Sequence, residues 1–346
     1  MTAKAPTTRR VWLAGLGGVV ATHVTGCASS VEATAPPKAA PPAPKPPAAP
    51  PAVEAPAPDA AIEAKPVEDE LALPKKINLP PRPAGAETGS KFLERVEGLG
   101  RAATDEAIFE AISKGNVPEY ERAWVPIEIG DGEGPRAKLN VSCDYLAIGS
   151  DDDFIRIPMT PCAAQRIADL VGAVLPTVKL VNIIYEHASA KLPPSYIEGG
   201  PTEGTVEDYA VHHEKLERRR RAAGFPLGVL TAGHKKDIVL STRLEEKADC
   251  VAIYGWHKRD GDVIQPLSIV HSRRYADYSH GVRLVGGEMV LDGKPRRVVD
   301  VLADPALADV ISDEGPLPMT AYPTTLPEYA PSKRKKKRKK SRKSKA

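Results

Sequence analysis

Cysteine is scarce in this chain, and the common local signatures of metal and redox chemistry are missing. Of 346 residues only four are cysteine, at positions 27, 143, 162 and 250, and no two stand in a CxxC pair. That excludes a disulfide-dense scaffold and a cysteine zinc knuckle, and it leaves room for one disulfide and a free thiol. No HExxH pair supplies two zinc ligands from one helix face. Asp151-Asp152-Asp153 lacks the Gly-x5-Glu continuation of an EF-hand loop, so it reads as a solvated acidic turn. No segment repeats at the period of a solenoid. Long apolar runs are absent too: the stretch Val11 to Thr22 is too short to anchor stably across a bilayer.

That short run sits between the basic pair Arg9-Arg10 and a small-residue site ending in cysteine, the order of a secretory signal over residues 1–26. Val24-Thr25-Gly26-Cys27 resembles a bacterial lipobox, and the resemblance implies that Cys27 is the lipidated first residue of the mature chain. Thr8-Arg9-Arg10-Val11-Trp12-Leu13 resembles a twin-arginine export motif, with Trp12 where another large apolar residue usually stands. An ordinary Sec n-region remains the other reading of the same arginines. Either route places the chain in the bacterial cell envelope, lipid-anchored on the periplasmic or outer face of a membrane.

Both ends are compositionally extreme. Residues 27–89 are expected to be a disordered linker, because proline and alanine dominate from Pro36 to Pro83 and favour extended polyproline II. Largely extended, that tract reaches on the order of 100–150 Å, enough for a spacer from a membrane. Residues 317–346 are expected to be a disordered tail carrying the basic run Lys333, Arg334, Lys335, Lys336, Lys337, Arg338, Lys339 and Lys340. Removing the tail's 11 basic residues from the net charge of +3 leaves −8 for the rest. The expected partners of the run are anionic lipids or envelope polyanions, with nucleic acid only as a non-specific partner. A solubilising tail without a partner is the plainer alternative.

Between the ends, residues 90–316 are long enough for one sizeable domain. The pattern predicts an α+β fold, with a helix-rich part over 90–225 and an antiparallel sheet or partial β-barrel over 226–316. Thr104 to Ile112 has helical spacing. Trp124 to Ile129 and Lys138 to Ile148 alternate like strands. Thr160-Pro161 opens a helix closed by Gly172, Thr177 opens another running to about Ala190, and a third spans 205–222. Asp260-Gly261 and Asp292-Gly293 are hairpin signals, and Asp304 to Ile311 reads as a closing helix.

Seven histidines follow the signal, and four fall in the β-rich part at expected strand ends: His234, His257, His271 and His280. Hairpins that gather those ends on one rim would build a concave site. Three readings compete. A divalent metal such as zinc would draw on His234, Asp237, His257, His271 and His280. Metal-free hydrolysis or lyase chemistry would use His280 as base oriented by Asp277, Tyr254 or Tyr278 as proton donor, and Lys235 or Arg283 to hold an anionic group. A cysteine nucleophile, Cys143 or Cys250, is a weaker variant. The third reading is a tethering or binding module in which His257 and His271 pack against Trp256 and Tyr275. The strings Gly233-His234-Lys235-Lys236-Asp237 and Asp277-Tyr278-Ser279-His280-Gly281 are similar to strings in uncharacterised bacterial exported proteins, a resemblance that implies no activity.

Overall fold

Among the described residues, hydroxyl side chains start four of the six helices, and the elements that follow carry apolar residues inward. The computed structural model describes residues 72–130, 132, 134–198 and 204–327. The signal, Cys27 and the Lys333–Lys345 basic run lie outside the described residues.

α1 (Gly89–Val96) begins at Thr88, whose hydroxyl accepts the Lys91 amide, and it buries Phe92, Leu93 and Val96. α2 (Arg101–Ser113) buries Ala107, Ile108, Ala111 and Ile112; its N-cap is Gly100, and no side chain caps it. A hairpin then pairs β1 (Trp124–Ile129) with β2 (Ala137–Ser142). The strand expected over 138–148 breaks after Ser142. The Ser142 hydroxyl donates to the Asp144 carbonyl at 2.8 Å, and the Asp144 carboxylate accepts the Tyr145 amide at 2.7 Å. These local bonds draw the backbone out of the ladder. The chain resumes as β3 (Ala147–Gly149), paired with β4 (Phe154–Arg156).

α3 (Pro161–Val171) starts at Thr160 with proline in its first turn and ends at Gly172 in the left-handed region, φ 68°. After β5 (Ala173–Val174), α4 (Val178–His187) starts at Thr177. β6 (Ala190–Lys191) precedes α5 (Val206–Ala222), which opens with a reciprocal Thr205–Asp208 capping box. The remaining elements are β7 (Thr231–Ala232), β8 (Lys236–Ile238), β9 (Cys250–His257), β10 (Val263–Ser272), β11 (His280–Gly281), β12 (Val285–Leu291), β13 (Lys294–Arg297) and α6 (Val298–Ala303). Asp260-Gly261 and Asp292-Gly293 turn the β9–β10 and β12–β13 hairpins; Asp292 and Gly293 both have positive φ, 49° and 72°. The closing helix lies earlier than the sequence predicts. Pro305 forces Asp304 into an extended conformation, so α6 stops at Ala303, and only a 3₁₀ turn forms at Ala308–Val310.

The protein is α+β. One sheet has the order β1-β2-β12-β13, with β5 also paired to β12, so strands from both halves of the chain share it. The second has the order β10-β9-β8-β11, antiparallel except for the β8–β11 pair. One buried apolar cluster joins them and contains Ile108, Leu139, Ile253 and Met289. No helix among the described residues is long and apolar enough to cross a membrane.

The folded unit is wider than 90–316. Ile77 is buried, Lys76 bridges to Ala123, and the carbonyl of Pro80 accepts the Arg122 guanidinium at 2.8 Å. Proline lacks a donor, but its carbonyl can still pair, so a proline-rich segment can pack. Beyond 316, Leu317 and Tyr322 are buried, and the Tyr322 hydroxyl donates to the Val239 carbonyl at 2.6 Å. Cys143, Cys162 and Cys250 are free thiols.

Candidate functional site

The β9–β10 register settles whether strand ends meet on one rim. His257 lies opposite Val263, and His271 lies opposite Val251, at the other end of the hairpin. Six residues of strand separate the two ends, about 20 Å. The five residues considered for a metal therefore scatter. His257 stacks on Tyr185 of α4 with centroids 4.3 Å apart, its Nε2 3.1 Å from Asn182 Oδ1. Tyr254 donates to the same Asn182 oxygen at 3.0 Å. His234 faces Asp144, with Nε2 to Oδ1 at 3.4 Å. Asp237 accepts the Tyr145 hydroxyl at 2.8 Å. His271 and His280 flank Tyr275. Among the described residues no three His, Cys, Asp or Glu side chains are placed to hold a metal ion, so the five-residue metal set is not assembled.

His234 instead belongs to an ionised core. Arg156 is fully buried and pairs with Asp144 at 2.7 Å and with Glu217 at 2.7 Å. Burial raises the Asp144 carboxyl, but Arg156 and His234 outweigh it and hold the group well below the carboxylate range. Burial pushes His234 down to about 4 and Glu121 up to about 8, the latter with help from Asp144. Next to it, Arg283 lies over the Tyr145 ring at 4.4 Å and 3.9 Å from Asp237. Burial raises Asp237 to about 7 against the pull of Arg283. Lys235 is also interior, donates to the Tyr278 carbonyl at 2.7 Å, and is lowered by burial to about 7. Arg283 therefore does not hold an external anion: its guanidinium donates to the Ser142 and Thr231 carbonyls at 2.7 and 2.6 Å.

His280 and Asp277 form a third group. His280 Nε2 is 3.9 Å from Asp277 Oδ2, and neither ring nitrogen has a hydrogen bond. Ser279 donates its amide and hydroxyl to Asp277 Oδ1 at 2.7 and 2.5 Å, so the serine serves the carboxylate and not the histidine. Burial works against the Asp277 charge, but His280, Ser279 and Lys236 prevail and leave the carboxyl at about 2. Burial lowers His280 to about 4. At neutral pH the pair is a carboxylate beside a neutral imidazole.

Tyr275 connects this pair to the surface. Its hydroxyl donates to Asp277 Oδ2 at 3.0 Å, and its ring meets His280 edge-on at 5.5 Å and stacks on His271 at 4.0 Å. Tyr275 and Ala276 line a cleft of about 1080 Å³ together with Arg101, Thr104, Tyr209 and Arg274. His280 itself is 1% exposed and sits behind the tyrosine. Of the proposed donors, Tyr254 is tied to Asn182, and the Tyr278 oxygen accepts the Ile197 amide. Tyr275, read from sequence only as a packing partner, is the cleft-lining phenol that bonds Asp277. Its spacing of two residues from Asp277 was the available signal.

The remaining expectations resolve locally. Cys143 is buried, donates to the Tyr120 carbonyl at 3.3 Å, and burial raises its thiol far above the ordinary range, so it is no thiolate nucleophile. Cys250 stands opposite Ser272 in the β9–β10 ladder. Asp153 accepts the Ser90 amide and hydroxyl, and Asp151 accepts the Tyr120 amide. His212 is buried against Tyr278. Comparison with family models, with curated proteins and with solved structures finds no match for this chain.

Proposed function

We propose that this chain is an envelope-anchored bacterial lipoprotein whose folded unit hydrolyses or cleaves an envelope or extracellular polymer in the cleft beside Tyr275. One observation carries the reading: Asp277 and His280 stand 3.9 Å apart behind a cleft-lining phenol that is bonded to the same carboxylate. A neutral buried imidazole is a base at working pH, and an adjacent carboxylate stabilises the imidazolium it becomes. In hydrolysis, water entering as Tyr275 swings aside gives its proton to His280. The hydroxide attacks the scissile centre, the polymer bond breaks, and the leaving oxygen takes the proton back from the imidazolium. The lipobox at Cys27 supports the location, and the basic run supports a polyanionic partner.

The burial of His280 favours a second reading, a tethered binding protein whose cleft holds a polymer without cutting it. Incubating the purified chain with a panel of envelope and extracellular polymers separates the two. Oligomer release by wild type and its loss in His280→Ala support catalysis. Retention of polymer without release, unchanged in His280→Ala, supports binding alone. Elemental analysis of the same sample checks the metal-independent route, which a stoichiometric divalent metal required for turnover would overturn.

A further inference from the structure

The segment before α1 builds one wall of a groove on the β1-β2-β12-β13 sheet, and this groove shares no residue with the cleft beside Tyr275. Its volume is about 230 Å³, below the roughly 300–1,000 Å³ of a whole-ligand pocket, so it has room for a single ring. Trp124 opens β1, and its amide donates to the Lys75 carbonyl at 3.1 Å. Its half-buried ring packs against the core and lines the groove. Asn140 of β2 lines it too and is 4% exposed. The Asn140 Nδ2 donates to the Pro74 carbonyl at 2.6 Å. A carbonyl only accepts, so this bond fixes the amide and turns Oδ1 away from Pro74. Among the described residues neither that oxygen nor the Trp124 indole N–H has a hydrogen-bond partner, and neither is sealed from solvent. The backbone keeps the space clear. β2 pairs with β12 at Val141–Val285 and at Leu139–Met289, so Gly286, Gly287 and Glu288 bulge opposite Asn140 alone. The Gly287 amide donates to the Gly172 carbonyl at 3.0 Å, and a Cβ on Gly287 would run into that carbonyl. A Cβ on Gly286 would come within 3.2 Å of the Asn140 Cβ. The glycine pair lets the strands close in and puts no side chain over Asn140.

We propose that this groove is a carbohydrate subsite that holds one uncharged sugar ring of a polysaccharide, stacked on Trp124 and hydrogen-bonded to Asn140 and to the indole N–H. A pyranose has an apolar C–H face and a rim of hydroxyls. The face suits an aromatic ring, while a hydroxyl donates to the Asn140 oxygen and another accepts from the indole. Lys76 and Glu288 also line the groove and put one charge of each sign on it. The pair gives no net pull on an anion, and Glu288 opposes a phosphate, so the groove selects a neutral sugar over a nucleotide. Polyanion binding stays with the basic tail. The subsite anchors a polysaccharide whether or not the cleft cuts one, so it stands independently of the hydrolytic reading.

The test is binding, read without turnover. Cellotetraose, maltotetraose and the N-acetylglucosamine tetramer are titrated into the full chain and followed by calorimetry and by the indole N–H resonance of Trp124. Wild type is expected to bind at least one at millimolar concentration, to shift that resonance, and to keep its affinity when salt is added, as an uncharged ligand requires. Trp124→Ala is expected to weaken binding about tenfold through loss of the stacking surface. Trp124→Phe keeps a ring without the N–H and is expected to weaken it less, which keeps the test decisive should the alanine variant fail to fold. Failure of all three sugars to bind, equal affinity in wild type and the folded Trp124 variants, or tighter binding of uridine monophosphate than of any sugar overturns the subsite. If sugar binding depends on Trp124 while no polymer is cleaved, the subsite stands and the hydrolytic reading fails.

Discussion

Arg156 shows how much of this protein is decided by single side chains. Its guanidinium is the shared counter-charge of Asp144 and Glu217 in a region closed to water. Removing one partner of a buried ion network strands the others as unpaired charges. Arg156→Ala is therefore expected to cost about 3–5 kcal/mol, measured by denaturant unfolding, whereas loss of the exposed, solvent-screened Lys114–Glu110 pair leaves the unfolding midpoint close to that of wild type. His280 gives a pH signature. Its ordinary value is 6.5 and burial lowers it to about 4 in the fold, so as pH falls the unfolded chain takes up a proton first. Its contribution is whole above 6.5 and is lost between about 6.5 and 4. Over that window wild type is expected to lose stability faster than His280→Asn by up to about 1.4 kcal/mol per pH unit. Parallel pH profiles contradict the assignment of a neutral, buried imidazole. None of this network was legible in the sequence, because Arg156 meets partners 12 and 61 positions away, and only the folded sheet brings them together.

Elements whose signals are local were legible. Thr160-Pro161 with Gly172 bounds α3, Thr177 starts α4, and Thr205 with Asp208 starts α5, because a cap and its amide lie within one turn. Thr205→Ala is expected to cost about 1 kcal/mol in a thermal or denaturant melt. The sequence misled where long-range pairing overrides composition. Residues 317–327 looked like tail, yet Tyr322 accepts the Ala252 amide, donates to Val239 and buries its ring. Truncation after residue 316 is expected to destabilise the unit strongly, and Tyr322→Ala alone by about 3–5 kcal/mol. The four histidines at strand ends do not share one rim, because an antiparallel hairpin puts His257 and His271 at opposite ends, whereas Asp277 and His280, three positions apart, do stand together at 3.9 Å.

At the scale of the whole molecule, an acidic remainder is joined to a strongly basic end, and we propose that both are positioned at an envelope surface by a lipid on Cys27. Each Lys or Arg near an anionic surface contributes about 1 kcal/mol at low salt, so deleting residues 333–345 is expected to abolish the salt-sensitive part of binding to anionic vesicles. Binding that survives the deletion contradicts the tail's assignment. The central claim is that the cleft behind which Asp277 and His280 stand is where a polymer is cut. The most direct measurement is the turnover of an anionic polymer by wild type, His280→Ala and Tyr275→Phe, with folding verified by near-UV circular dichroism. Loss of a general base lowers turnover by about 10²–10⁴-fold, the result expected for His280→Ala, with Tyr275→Phe altering rate without abolishing it. Equal turnover in wild type and folded His280→Ala contradicts the account.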